Sequence, residues 1–215
     1  MKETMKSTGK PGSEETTSAA GEAESHPLEP FFPDGARVLI CGTFPPQQHR
    51  WSMTFFYPNF INDFWRVMGL IYFGDKDALV DVAHKTFRLN EIRALLTREG
   101  IAMYDTGQRV IRTRNNASDK YLEIVEPLDL DRALAALPHL EAIATTGEKA
   151  ATVMAELTGT KVPNVGEYEE FENPSPTGIN RTLRHWRMPS TSRAYPMPLA
   201  RKAEIYEKML LTIKK

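Results

Sequence analysis

Val38-Leu39-Ile40-Cys41 is an unbroken apolar run between Arg37 and Gly42, and it predicts a buried strand over 37–42. Further strands are predicted at Ile101–Tyr104, Leu140–Ala144 and Arg181–Arg187, with one or two short ones within Val162–Phe171. Between them the apolar spacing lengthens to that of a helix. Ile61, Phe64, Trp65 and Met68 share one face of a helix over Asp63–Phe73. Leu89, Ile92, Leu95 and Leu96 form the stripe of one or two helices over Lys76–Glu99, stopped by Gly100. Asp129–Leu137 opens on an acidic residue, as short helices often do. Gly147–Leu157 turns Ala150, Val153, Met154 and Leu157 inward, and Leu199–Ile213 does so with Tyr206, Met209, Leu210 and Ile213. No internal repeat is present.

Strands alternating with helices predict an α/β fold, a mainly parallel sheet with helices on both faces. Ligand sites in such sheets form at the carboxyl ends of strands. Three unusual loops leave such ends: Thr43–Asn62, the Arg-rich Asp105–Asp119, and Pro189–Pro198. They are expected to converge on one edge.

Composition narrows the chemistry. The first 28 residues are rich in Ser, Thr, Gly, Glu and Ala and predict a disordered tail before a domain over 29–215. Residues 1–30 carry three Lys and six Glu; the remainder holds 24 basic against 22 acidic residues, a balance that permits a polyanionic partner without requiring one. Cys41 is the single cysteine, so an intrachain disulfide and a cysteine-ligated metal cluster are excluded and a cytoplasmic setting fits. No apolar run approaches membrane-spanning length, and the N-terminus lacks the apolar core of a secretory signal. There is no Gly-x-Ser-x-Gly elbow, no Gly-rich phosphate loop after a strand, and no metal-ligand spacing among His26, His49, His84, His139 and His185.

What the loops do contain is suited to holding a flat ring. Phe44, Phe55, Phe56 and Tyr57 can stack, and Asn59 and Asn62 can read a base edge or hold a water. The backbone of Ser190–Ser192 and the side chain of Arg193 can grip a phosphate. Stacking, edge reading and phosphate grip together are what a flipped nucleotide requires.

Five stretches then carry a resemblance: LICGTFP (39–45), FYPNFINDFW (56–65), GIAMYDT (100–106), EAIATTGEKAA (141–151) and MPSTSRA (188–194). In that order they resemble motifs of the uracil-DNA glycosylase superfamily, most closely its hypoxanthine-type branch. The resemblance implies a three-layer α/β/α sandwich around a mainly parallel, four-stranded sheet. It implies a glycosylase that flips uracil or hypoxanthine from DNA and hydrolyses the N-glycosidic bond, as a monomer, with no metal or other cofactor and no membrane. The chain departs from the motifs at Phe44, where many members have Asp or Asn, at Asn59-Phe60-Ile61 for His-Pro-Arg, and at Thr146, Met188 and Arg193.

Carried over residue by residue, Asn62 is the catalytic candidate, placing a water or contacting the base, and it is equally suited to cap the helix that follows. Phe44, Phe56, Asn59 and Asp105 are expected at the base pocket. Ser190, Thr191, Ser192, Arg193, Arg112 and Arg114 are expected to meet DNA, with Arg109 in the same cluster and His49, Arg50 and Trp51 nearby. Core packing, turn formation and a solvated surface loop are the plainer alternatives for these residues. Two other functions stay open: a non-catalytic binder of damaged or single-stranded DNA, and hydrolysis of a free nucleoside.

Overall fold

The structure is a computed structural model, and it describes residues 22–113, 121–173 and 181–213. Its centre is a five-stranded sheet in the order β5-β2-β8-β10-β9. Here β2 is Val38–Gly42, β5 Ile101–Asp105, β8 Ala142–Thr146, β9 Tyr168–Asn173 and β10 Arg181–Met188. Every residue of β2, β5 and β8 is buried, which a sheet achieves only when both faces are covered. β2 runs parallel to β5 and β8, and β8 parallel to β10. The edge strand β9 is antiparallel to β10. That fifth strand, β9, corrects the expected four.

The helices are α1 (Phe64–Phe73), α2 (Leu89–Glu99), α3 (Leu130–Ala136), α4 (Glu148–Thr158) and α5 (Leu199–Ile213). α1 packs on α5, α2 on β5, and α4 on β8 and β10. α1, α2 and α4 end on glycines with φ near +67°, a conformation glycine adopts without the side-chain clash other residues meet. α1 buries Phe64, Trp65 and Met68, its predicted stripe less Ile61, which lies outside the helix and is 55% exposed, and it buries Val67 as well.

Two regions differ from the sequence reading. Lys76–Glu99 is helical only from Leu89; before it β3 (Val80–Asp81) and β4 (Thr86–Phe87) form a small hairpin. Asp105–Asp119 is not simply a loop, because β6 (Gly107–Arg112) pairs with β7 (Leu122–Pro127). On its other side β6 pairs with β1 (Glu24–Ser25), which makes a second sheet in the order β1-β6-β7. Residues 22–28, counted with the tail on composition, are thus part of the fold. The rest of that tail lies outside the described residues. Among the described residues no helix is long and apolar enough to cross a membrane.

Candidate active site

The parallel strands β2, β5, β8 and β10 deliver their carboxyl ends to one edge, and there the loops enclose an open cleft of about 1190 Å³. Its lining draws on the loop after β2, the end of β5, the start of α4 and the loop after β10. Small-molecule sites commonly measure roughly 300–1,000 Å³, so the cleft can take more than one flat ring.

The floor is built by register. Gly42 ends β2 directly opposite Asp105, the last residue of β5. A Cβ at position 42 would stand 2.6 Å from Asp105 Oδ1 and 3.3 Å from the Tyr57 hydroxyl. Glycine at 42 is therefore what lets the carboxylate lie across the strand end. Asp105 is 6% exposed, and its Oδ2 is 3.0 Å from His26 Nε2.

One wall is aromatic, though its key ring is not the expected one. Phe56 is 1% exposed and packs on Phe55 and Tyr104 inside the core, and it is not part of the cleft lining. Its neighbour Tyr57 lines the cleft instead. Its φ of 51° is rare for a residue with a side chain and reverses the chain there. The ring stacks on Phe64 with centroids 3.9 Å apart, and the hydroxyl is 2.7 Å from Thr146 Oγ1. Burial first, then Tyr206 and the charge of Asp105, push the Tyr57 phenol well above its ordinary pKa, so it stays neutral. Phe44 lines the cleft as expected, 8% exposed.

Asn59 and Asn62 both line the cleft. Asn59 Oδ1 accepts from Ile61 N–H at 3.1 Å. Asn62 Oδ1 accepts from Phe64 N–H at 2.8 Å, so Asn62 does help to start α1, next to the formal cap Asp63. A carboxamide keeps two donors and a second lone pair after one such bond, and the capping bond does not exhaust it.

At the rim, Ser190 Oγ accepts from Ser192 N–H and Ser192 Oγ from Ala194 N–H, at 3.3 and 3.2 Å. Both hydroxyls retain their protons for donation. Thr191 is 2% exposed, and its carbonyl accepts from Asp63 N–H. The expected cations are largely engaged within the protein. Arg193 Nε lies 3.2 Å from Asp63 Oδ1. Arg112 meets both oxygens of Glu24 at 2.8 and 3.0 Å, donates to the Pro45 carbonyl and lies over the Phe44 ring. Arg109 pairs with Glu126 on the β6–β7 hairpin. Arg114 lies outside the described residues. Arg50 is exposed in the cleft lining. Asp63 also holds Lys202, a side chain 1% exposed, at 3.1 Å, and Lys202 donates to Ser192 O, so the start of α1, the Ser190–Arg193 loop and α5 form one tied corner.

His26 is the residue that sequence reasoning missed. It reaches Asp105 from a segment that composition assigns to a tail, and no local pattern marks it. Cys41 is wholly buried, and burial followed by the charge of Asp105 pushes its thiol well above the ordinary value, so it is no nucleophile. Among the described residues no group of three or more His, Cys, Asp or Glu is gathered as a metal site requires.

Neither a scan against protein-family models nor a search of curated proteins gives a match. Among solved structures the chain is similar to the solution NMR structure of "a putative Uracil DNA glycosylase" from Methanosarcina acetivorans. The TM-score is 0.55 at 18% identity, over 87% of this chain and 97% of that one. The likeness is one of fold: a mixed α/β domain with a mainly parallel central sheet, shared along nearly the whole of that protein.

Proposed function

We propose that this chain is a monofunctional DNA glycosylase that flips a deaminated base, uracil or hypoxanthine, into the cleft and hydrolyses its N-glycosidic bond. The observation that carries the reading is the meeting, in one cleft, of a buried carboxylate, an aromatic wall, two carboxamides and a hydroxyl-rich loop. The shared fold supports it. Breaking this bond puts positive charge on the sugar and negative charge on the leaving base, and fixed dipoles and charges can stabilise both. In this reading Tyr57 takes the stacking role against the base. Asn62 holds a water or the base edge, and Asn59 and Phe44 complete the pocket. Ser190, Ser192 and Arg50 meet phosphates. Ile61, exposed at the rim, is an apolar side chain of the kind that wedges between base steps.

The test is an oligonucleotide assay. Labelled strands carrying one uracil, hypoxanthine, xanthine or mismatched thymine, single- and double-stranded, are incubated with the protein and then treated with alkali. Strand breaks at one of these bases support the reading and name the base. A second reading, a non-catalytic reader of damaged DNA, draws support from Phe44, an apolar ring on the strand-end loop where a carboxylate would activate water directly. Tight lesion binding without any break would favour it.

A further inference from the structure

We propose that Asp105 is the general base of the hydrolysis and that His26 is the positioning residue that holds it; this rests on the glycosylase reading above. β2 supplies no acid of its own, since the residues after Gly42 are Thr43 and Phe44. Its neighbour β5 does, one register position across. Asp105 has divided duties for its oxygens. Oδ2 is bound to His26 Nε2 at 3.0 Å, and Oδ1 lies over Gly42 beside the Tyr57 hydroxyl, both of which line the cleft.

His26 is not there by accident of a loose terminus. The strap that carries it pairs with β6 at Glu24 and Ser25, and His26 N–H donates to the Gln108 carbonyl at 2.8 Å. Arg112 anchors the strap by gripping Glu24. The imidazole itself is 3% exposed and sits among rings, edge-on to Phe44 at 5.2 Å and 4.9 Å from Tyr104. Its far nitrogen, Nδ1, is 2.8 Å from the Leu28 carbonyl and 3.2 Å from the Leu28 N–H. One residue thus offers both an acceptor and a donor. The ring is bonded at both ends whether neutral or protonated, so it can stay beside Asp105 while the carboxylate changes charge. Among the described residues the Cys41 thiol and the Tyr57 and Tyr104 phenols also face Asp105, and burial helps to keep all three neutral. A buried polar pair of this kind is rarely a stability device, because apolar side chains of the same volume usually serve at least as well.

The step balances with one water. Its oxygen bonds to the sugar C1′, the C1′–N bond breaks, and the electron pair leaves on the base. The water's proton passes to Asp105 Oδ1 and from there, through solvent, to the departing base. Nothing is oxidised or reduced.

The experiment uses the full chain and a duplex carrying whichever base the unmodified protein releases. Single-turnover excision rate, DNA dissociation constant and urea unfolding midpoint are measured for Asp105→Asn, His26→Ala, His26→Gln and the double variant His26→Ala/Asp105→Asn. A general base typically contributes about 10²–10⁴-fold, so Asp105→Asn is expected to slow excision by that amount, and His26→Ala by about 10²-fold, with DNA affinity unchanged. His26→Gln keeps a donor for Oδ2 and should recover about ten-fold of the loss. His26→Ala should cost nothing further in the Asp105→Asn background. Excision at full rate in His26→Ala or Asp105→Asn overturns the proposal and leaves the glycosylase reading standing. So does a loss in His26→Ala that persists undiminished beside Asp105→Asn, or that follows weakened DNA binding. An unmodified protein that releases no base sinks both.

Discussion

Gly42→Ala is a sharp steric probe of the cleft floor. The backbone at 42 is extended strand that any residue adopts, so alanine brings no conformational strain of its own. The added methyl meets Asp105 Oδ1 at 2.6 Å, where ordinary contact begins at 3.4 Å, and the carboxylate must retreat by about 0.8 Å. It has little room to do so. Oδ2 is held by His26, the residue is 6% exposed, and Tyr104, its neighbour on β5, is itself packed against the Phe32 and Phe56 rings. The Tyr57 hydroxyl at 3.3 Å needs to give only slightly. Overpacking of this kind costs about 1–3 kcal/mol of stability, and a displacement near 1 Å in a reacting group costs about 10²-fold in rate. Urea unfolding and single-turnover excision on the released base should register both. Asp105→Ala in the same chain removes the obstacle, so the double variant should regain the lost stability while staying slow. A Gly42→Ala protein as active as the unmodified one would refute the argument that Asp105 must stand where it does. An undiminished stability loss beside Asp105→Ala would place the clash elsewhere.

Three other outcomes follow from the geometry. Asn62→Asp keeps the oxygen that accepts from Phe64 N–H and removes both amide donors, so unfolding should change little while excision falls about 10²–10³-fold; Asn62→Ala should lose the same rate and about 1 kcal/mol of stability besides. Asp63→Asn removes the carboxylate charge that faces the buried Lys202 ammonium, whose other bond runs to the Ser192 carbonyl, and should cost about 3–5 kcal/mol by urea unfolding, while Asp63→Asn/Lys202→Met should recover most of it; an Asp63→Asn protein within 1 kcal/mol of the parent would refute the tied corner. His185 is held neutral, its pKa lowered by burial to about 4, because Nε2 faces Thr145 Oγ1 while Nδ1 has no partner to receive a proton's charge. With the folded value below the unfolded one, its contribution is full above about pH 6.5 and is lost as pH falls toward 4. Stability should therefore drop by about 2 kcal/mol from pH 7.5 to 5, and a shallower loss in His185→Gln is the check.

Much of the fold is legible because burial on both faces leaves a plain mark. β2, β5 and β8 each open on an apolar run of three or four residues, and α1, α2, α4 and α5 carry stripes at helical spacing. The β6–β7 hairpin leaves no such mark. In β6 the buried positions are Gly107 and Val110, and the rest of GQRVIR is polar or half-exposed, so the segment resembles a basic loop. Its pairing is set by partners on either side, β1 and β7, which no local window contains. The edge strand β9, YEEFEN, buries only Phe171, so the sequence marks it weakly, as one or two short strands within Val162–Phe171, and not as a member of the central sheet.

The site was legible in its location and less so in its parts, and the reason is the same in each case. Two adjacent aromatics, Phe56 and Tyr57, are equivalent to any reading of residue type; the left-handed turn at Tyr57 decides which ring enters the core and which lines the cleft. Arg112 and Arg193 look like phosphate contacts until their carboxylates appear, 88 and 130 residues away in the chain. Those pairings are what hold the strap and the Ser190–Arg193 loop in place, so the two arginines serve the scaffold. Low-complexity composition argues correctly that a segment cannot build a core of its own. It does not argue that the segment is unused: Glu24 and His26 need no core, because β6, Arg112 and Asp105 supply the partners. A strap that adds two residues' worth of strand to a sheet and one imidazole behind an existing cleft is below the reach of composition, and its bond to Asp105 is what orients the carboxylate at the cleft floor.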